Sequence, residues 1–191
     1  MLRMLCIRHA QSTWNAHGRW QGQADPPLSE AGRLEAKALA ERLRCDAGPL
    51  AGLVTSDLTR ARETAGVLGD ALGLEPEPWA ALREADIGIW SGRVSEEIAR
   101  AWPEDYARFR AGDLELRPGG GESRIALRAR AADAVRSLEQ RFAAGAIVVV
   151  THLGWLRALR PGLELPNAGW LWLDSAGLPE CDPAWGGEGA L

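Results

Sequence analysis

The 191-residue chain has two short apolar runs, one near each end, and each run stops directly before a polar segment that contains a histidine. The first run, MLRMLCI, leads into Arg8 and His9, and the second, AIVVVT, leads into His152. Apolar runs of this length predict buried strands. Because the chain has only three histidines, the placement of two of them directly after predicted strands constrains fold and site more than any other feature.

The segment that follows the first strand has a helical pattern. In EAGRLEAKALAERLR the apolar residues recur at helical spacing, and Ser29, directly before it, is suited to cap the helix. The predicted inward face consists of Ala31, Leu34, Ala38, Leu39 and Leu43. An amphipathic helix after a buried strand indicates a helix that packs on a sheet.

Strand and helix patterns continue to alternate along the chain. We predict, in order, a strand in LAGLVTSD, a helix over 58–72, a strand in EPEPWAAL, helices over 94–102, 103–110 and about 123–142, the strand before His152, and an edge strand in GWLWLD. This alternation is typical of the α/β class. We therefore expect a single three-layer αβα domain with a mostly parallel central sheet over residues 1–175, followed by a Gly/Pro-rich C-terminal tail over 176–191.

Composition restricts the partners. A formal net charge of −4 argues against nucleic acid or an anionic membrane as a bulk partner, because both require an extended basic surface. The N-terminal apolar run is too short for a secretory signal, and no segment approaches the length of a membrane span. The three cysteines, Cys6, Cys45 and Cys181, lack metal-like spacing and are predicted to be reduced. We expect a cytoplasmic protein that is a monomer or a homodimer.

Loops at the carboxyl ends of parallel strands gather at one edge of the sheet, where ligands bind. Arg8, His9 and His152 should therefore converge despite their separation in sequence. Arg60, near the start of the helix after the second strand, adds a second guanidinium group, and helix starts favour anions. Two arginines and two histidines suit a phosphoryl group, whose charge is spread over three oxygens.

A neutral imidazole can attack phosphorus, provided that its other nitrogen is held and the pocket stabilises the resulting phosphohistidine. Flanking guanidinium groups disfavour the protonated ring, so His9 is the candidate nucleophile. The leaving alkoxide needs a proton, for which Glu84 in LREADIGIWSG is the candidate donor. The same carboxylate, once ionised, would activate the hydrolytic water. Asp86, two residues further on, is its competitor.

Six motifs in order resemble the histidine phosphatase superfamily, in its phosphoglycerate-mutase-like branch. They are CIRHAQSTWN, PLSEAGRLEA, TSDLTRARETA, LREADIGIWSG, GGGES and VVVTHLG, and the resemblance extends from Leu2 to about Leu173. The resemblance implies that His9 is the phosphorylated nucleophile and Glu84 the proton donor. It implies phosphoryl contacts from Arg8, Arg60 and His152, and a pocket lined by Ser12, Asn15, Gln21 and Gly22.

Two positions depart from the family pattern. Ala10 follows the first histidine and Leu153 the second, where the family usually has glycine, so each adds a side chain close to the phosphate loop, and Leu153 joins the predicted substrate contacts. Neither change removes a functional group. The chemistry is expected to survive with an altered pocket shape.

Alternative interpretations exist for the histidines and for the aromatic residues. The two histidines suit zinc, but a third ligand at suitable spacing is absent and the adjacent arginines would repel a dication, so we expect neither metal nor cofactor. Trp102, Tyr106 and Phe109 fall at helical spacing and are predicted to be core. Tryptophans that flank the motifs could instead form an aromatic rim for an organic leaving group; these are Trp14, Trp20 and Trp155.

Three functions remain open from the sequence. The first is a metal-independent phosphomonoesterase that acts through phosphohistidine on a small phosphorylated metabolite. The second is a cofactor-dependent phosphoglycerate mutase, a group that typically has a tyrosine where this chain has Ile87 and a lysine beyond Lys37, which is the only lysine here. The third is a catalytically silent phospholigand-binding protein, which would have lost the nucleophile or the acid.

Overall fold

A five-stranded sheet forms the centre of the computed structural model, which describes residues 1–46, 48–143 and 145–177. In chain order its strands are β1 (Leu2–Arg8), β2 (Leu53–Thr55), β3 (Pro76–Pro78), β4 (Gly145–Thr151) and β5 (Trp170–Asp174). The order across the sheet is β3-β2-β4-β1-β5. Only β5 runs antiparallel, on the outer side of β1, so the predicted mostly parallel sheet and its edge strand are confirmed.

The described residues form six α-helices. They are α1 (Glu30–Asp46), α2 (Thr59–Leu72), α3 (Ser95–Ala101), α4 (Pro103–Arg110), α5 (Arg124–Phe142) and α6 (Leu153–Leu159). Of these, α1, α2, α5 and α6 pack on the sheet. Alternate residues of the central strands point to opposite faces. Met4 and Cys6 of β1 therefore pack in one buried cluster with α5 and α6, while Leu5 and Ile7 pack in another with α1 and α2. The predicted three-layer αβα arrangement is confirmed.

The pairing of β1 with β4 brings the two strand-end histidines together. These strands are parallel neighbours, and their register pairs Arg8 with Thr151. The next residue along each strand is a histidine, and the His9 amide donates to the Thr151 carbonyl at 2.9 Å. His9 and His152 consequently emerge side by side from the middle of the sheet.

The N-cap of α1 was predicted correctly, but its buried face only in part. The Ser29 Oγ accepts a hydrogen bond from the Gly32 amide at 3.0 Å, as a helix cap does. The helix is turned so that Gly32 lies against the Gln11 backbone, too close to admit a Cβ. Leu34 is thereby 67% exposed, and Ala31 and Ala38 are exposed as well. The predicted Leu39 and Leu43 are buried, together with Ala36 and Ala40. A close backbone contact, which spacing alone does not reveal, sets this rotation.

The C-terminal boundary of the domain stays a prediction. After β5 the chain makes a short 3₁₀ turn over Ser175–Gly177, and the rest of the predicted tail, with Cys181, lies outside the described residues. Of the helices in the described part of the chain, none is long and apolar enough to cross a membrane.

Candidate active site

His9 lies at the end of β1 with only 3% of its surface exposed. Its Nδ1 is 2.7 Å from the Ala10 carbonyl oxygen. A carbonyl oxygen can only accept a hydrogen bond, so Nδ1 carries the ring proton and the lone pair of the neutral imidazole is on Nε2. The pKa of His9 is lowered well below its usual value, mainly by burial and then by the charge of Arg60. His9 is therefore neutral near pH 7 and has a free nucleophilic nitrogen.

His152, at the end of β4, is fully buried beside it. The two ring centroids are 5.0 Å apart, and the rings are inclined by 58°. The Nε2 of His152 is 2.8 Å from the Ser56 Oγ. Burial lowers the pKa of His152 well below its usual value, and Arg60 and His9 lower it further. Both histidines of the pair are thus uncharged near neutral pH.

Arg60, the second residue of α2, is buried completely and points into the same region. Its Nη1 donates to the Ala24 carbonyl at 2.7 Å and its Nη2 to the Gly22 carbonyl at 2.8 Å. Burial lowers the pKa of Arg60 to about 10, so the group stays protonated near neutral pH. Its Nε has no hydrogen-bond partner among the described residues. A buried cation with an unused donor is suited to an anionic ligand.

Arg8 adds a second guanidinium group at the end of β1. Its Nη1 donates to the Leu165 carbonyl at 2.7 Å, while its buried Nε has no partner in the described part of the chain. Burial lowers the pKa of Arg8, whereas Glu84 raises it. The charges of Arg8 and Arg60 both act on His9 and on His152, so the structure brings the two arginines and two histidines together as predicted.

The start of α2 is not open to an anion in the way the sequence predicted. The carboxylate of Asp25 accepts hydrogen bonds from the Thr59 amide at 2.6 Å and from the Thr59 hydroxyl at 2.7 Å. An internal carboxylate thus caps this helix. The anion-binding capacity of the site comes from the arginine side chains and not from a free helix terminus at Thr59.

The Glu84 carboxyl is held by two backbone amides. Its Oε1 accepts from the Ala85 amide at 2.8 Å and its Oε2 from the Gly154 amide at 3.1 Å. Gly154 lies two residues after His152, and a Cβ at this position would collide with the Glu84 carboxyl. Glu84 also acts electrostatically on Arg60 and Arg8. Its competitor Asp86 is exposed and accepts from the Gly88 amide in its own turn, so Glu84 is the carboxyl that belongs to the site.

Arg130 of α5 braces the segment that carries Glu84, a contact that sequence reasoning missed. Its guanidinium donates to the carbonyls of Ala81, Arg83 and Glu84 at 2.8–3.1 Å. It also forms an ion pair with Glu122 at 2.8 Å. Arg130 and Glu84 are 46 residues apart in the sequence, so no local sequence pattern predicts their contact.

Three of the predicted pocket residues form a polar network below His9. The Ser12 hydroxyl is 2.6 Å from the Gln21 Oε1 and 3.1 Å from the Asn15 Oδ1, which also accepts from the Ser12 amide. Asn167, another residue that the sequence did not point to, donates to the Asn15 Oδ1 at 3.2 Å and to the His9 carbonyl at 3.1 Å. These bonds fix the loop that carries His9. Substrate contacts from these residues stay a prediction.

Three further positions singled out from the sequence are Gly22, Leu153 and Ala10. Gly22 supplies a carbonyl to Arg60 and has a φ of +50°, in the region that favours glycine. Leu153 is the first residue of α6 and is half-buried. Ala10 is completely buried with Leu28 and Ala36, so its methyl group is accommodated in the core.

The predicted aromatic rim is wrong for Trp155, and Trp20 packs with the core aromatics. Trp155 is fully buried, and its Nε1 donates to the Ala81 carbonyl at 2.9 Å. The Trp20 ring lies 5.8 Å from Trp90 and 5.1 Å from Phe109. Core packing of the other predicted aromatics is confirmed, since they contact the buried cluster around Trp90; these are Trp102, Tyr106 and Phe109.

Within residues 1–46, 48–143 and 145–177, no three His, Cys, Asp or Glu side chains lie close enough together to hold a metal ion. The polar groups of the site are instead two imidazoles, two guanidinium groups and one carboxyl. This donor set is cationic and suits an anion.

The sheet order, the three layers and the histidines after β1 and β4 define a phosphoglycerate-mutase-like α/β protein. The chain belongs to the histidine phosphatase superfamily (branch 1), whose sequence pattern it matches over residues 4–178. The resemblance seen in the six motifs is confirmed.

Several relatives and solved structures are similar over most of the chain. The metal-independent phosphoserine phosphatase of Arabidopsis thaliana is 39% identical over 160 residues, which are 82% of this chain and 66% of that protein. The glucosyl-3-phosphoglycerate phosphatase of Mycobacterium tuberculosis is 38% identical over 177 residues, or 88% of this chain and 78% of the relative. The structure of a mycobacterial glucosyl-3-phosphoglycerate phosphatase with VO3 superposes with a TM-score of 0.81 at 34% identity and covers 90% of each chain.

Proposed function

We propose that this protein is a metal-independent phosphomonoesterase that acts through a phosphohistidine on a small phosphorylated metabolite. One observation carries the proposal: a neutral His9, with its Nδ1 proton engaged by the Ala10 carbonyl, lies beside His152 and two buried arginines. Membership of the family and the phosphatase names of its relatives support the same conclusion.

In the first half-reaction the His9 Nε2 lone pair attacks phosphorus, and the bond between phosphorus and the ester oxygen breaks. The Ala10 carbonyl stabilises the positive charge that develops on the ring, because it accepts from Nδ1. Arg8, Arg60 and His152 hold the three non-bridging oxygens. Glu84, in its protonated form, gives its proton to the leaving oxygen, so the alcohol departs neutral.

In the second half-reaction water attacks the phosphohistidine. The Glu84 carboxylate takes a proton from that water, and the bond between phosphorus and Nε2 breaks. Inorganic phosphate leaves, and both His9 and Glu84 return to their starting protonation states. No metal ion enters either step, since the two guanidinium charges match the charge of a phosphate dianion.

The relatives suggest which esters to test first. Phosphoserine and glucosyl-3-phosphoglycerate appear in the names of two of them, and both are small phosphomonoesters. We propose that a phosphorylated metabolite of this size is the substrate. The assay is phosphate release from each compound in the presence of a chelator.

The decisive variant is His9→Ala. It should abolish turnover and the acid-labile phosphoenzyme that forms with labelled substrate. His17→Ala is the matched control, because His17 is exposed and its Nδ1 contacts the Thr13 carbonyl of its own turn. Full activity of His9→Ala would refute the mechanism.

A second assay distinguishes a phosphatase from a mutase. Isomerisation of 3-phosphoglycerate, with and without a bisphosphate primer, should be slow compared with phosphate release; the reverse ratio would establish a mutase.

A further inference from the structure

Ser56 lies between β2 and α2, where its hydroxyl group contacts the His152 ring. Its backbone amide donates to the Val150 carbonyl of β4 at 2.9 Å, which places the residue next to the end of that strand. Both Ser56 and His152 are fully buried. The bond from Ser56 Oγ to His152 Nε2 therefore forms out of contact with bulk water, and its direction has consequences for the site.

The other contacts of the Ser56 hydroxyl determine that direction. The Leu58 amide donates to the Ser56 Oγ at 3.3 Å, so the oxygen already accepts one hydrogen bond. The hydroxyl hydrogen needs an acceptor, and His152 Nε2 at 2.8 Å is in place to accept it. If Nε2 carried the proton instead, the Ser56 hydroxyl hydrogen would lose this acceptor, whereas the Nδ1 atom has no partner among the described residues in either tautomer. A buried hydroxyl hydrogen without an acceptor is costly, so the Ser56 hydroxyl favours the tautomer with the lone pair on Nε2.

We propose that Ser56 is a positioning residue that holds His152 in the tautomer with its proton on Nδ1. The buried Nδ1 of His152 has no hydrogen-bond partner within the described residues. As an N–H it offers a phosphoryl oxygen a donor, whereas as a lone pair it would repel the same oxygen. The inference rests on the proposed function for its ligand, but the tautomer is a property of the free protein.

The two histidines would then carry their protons on the same ring atom for opposite purposes. In His9 the Nδ1 proton faces the Ala10 carbonyl and leaves a lone pair for phosphorus. In His152 the lone pair faces Ser56 and leaves a proton for the phosphoryl oxygen. One side chain is prepared to attack and the other to bind.

Long-range ¹H–¹⁵N spectra of the protein labelled with [¹⁵N]histidine report the tautomer directly. The chain has three histidines, and His17→Gln and His9→Gln assign the signals by elimination. The free wild-type protein should show His152 protonated at Nδ1 with a lone pair at Nε2. A proton at Nε2 would overturn the proposal. Ser56→Ala should lose the Nδ1 preference, while Thr55→Val, which removes the neighbouring buried hydroxyl, should keep it.

Binding of inorganic phosphate provides a second readout. The side-chain amide of asparagine places a donor near the position of Nδ1, and that of glutamine places one near Nε2. His152→Asn should therefore bind inorganic phosphate about tenfold more tightly than His152→Gln, the size of one hydrogen bond to a charged group. Equal binding, or tighter binding by His152→Gln, would contradict the inference.

Turnover of the wild-type protein separates this inference from the proposed function. If the protein is an active phosphatase and His152 is protonated at Nε2, only the tautomer proposal is refuted. If His152 is protonated at Nδ1 and the protein has no turnover, only the phosphatase proposal is refuted.

Discussion

The rings of His9 and His152 lie 5.0 Å apart at the ends of two adjacent parallel strands, and each is anchored through a different nitrogen. His9 uses Nδ1 toward the Ala10 carbonyl, and His152 uses Nε2 toward the Ser56 hydroxyl. The pairing of β1 with β4 places the two rings side by side, and β2, which ends directly before Ser56, also pairs with β4. Two chemically identical side chains thereby have different hydrogen-bond partners.

Gly154 is expected to be essential for the position of Glu84. In Gly154→Ala the new methyl group would displace the carboxyl that the Gly154 amide holds. The kcat for alkyl phosphates should fall by roughly tenfold to a hundredfold, a large part of what a general acid contributes. The fall should be smaller for an aryl phosphate, whose leaving group needs less protonation. Steady-state kinetics with a series of leaving groups checks this.

Gly66→Ala is the matched control for that substitution. Gly66 lies in α2 with open space where a Cβ would stand, and the change also removes a flexible residue from a helix. It should leave kcat unchanged and raise the free energy of unfolding by about 0.5–1 kcal/mol. An equal loss of kcat for alkyl and aryl phosphates in Gly154→Ala would mean that Glu84 is not displaced as an acid.

Arg130 is expected to stabilise the fold and to position Glu84. Arg130→Met would leave Glu122 without its partner and deprive three carbonyl oxygens of a donor. Both side chains of the ion pair are largely buried, so the free energy of unfolding should fall by about 3 kcal/mol. Urea denaturation measures this loss. Arg136→Met, which breaks an exposed ion pair with Asp133 on the same helix, should lower the free energy of unfolding by well under 1 kcal/mol. A similar loss of stability in both variants would contradict a stabilising role of the Arg130 contacts.

The sequence predicted the central sheet and the paired histidines because these depend on local patterns. Buried parallel strands are continuous apolar runs, and such runs precede His9 and His152. The cradle of Glu84 could not be predicted in this way, since the Gly154 amide and the Glu84 carboxyl meet across 70 residues. The rotation of α1 was also hidden, because both of its faces carry apolar residues and the contact of Gly32 with Gln11 decides between them.

Asp25 is expected to stabilise α2 and to weaken anion binding slightly. In Asp25→Ala the Thr59 amide and hydroxyl lose their acceptor, so the free energy of unfolding should fall by about 1 kcal/mol. Asp25→Asn keeps a capping oxygen and should lose much less. Asp25 acts electrostatically on Arg60, so both variants should bind inorganic phosphate somewhat more tightly than the wild type. Calorimetric titration measures the affinity, and weaker binding by Asp25→Asn would contradict this electrostatic effect.

The stability of the protein should fall as the pH is lowered through the range from 7 to 5. His9 and His152 have folded-state pKa values well below their usual value, so the unfolded chain binds protons near pH 6.5 that the folded chain does not. The free energy of unfolding should therefore decrease below about pH 6.5 by up to about 1.4 kcal/mol per pH unit for each histidine. Asp57 stays ionised in this range, because Arg83 lowers its pKa, and it does not contribute to the slope.

Urea denaturation at several pH values measures how steeply the free energy of unfolding depends on pH. His9→Gln should reduce the slope by about half. A wild-type slope near zero between pH 5 and 6.5 would contradict the prediction, because it would show that the buried rings accept protons without unfolding.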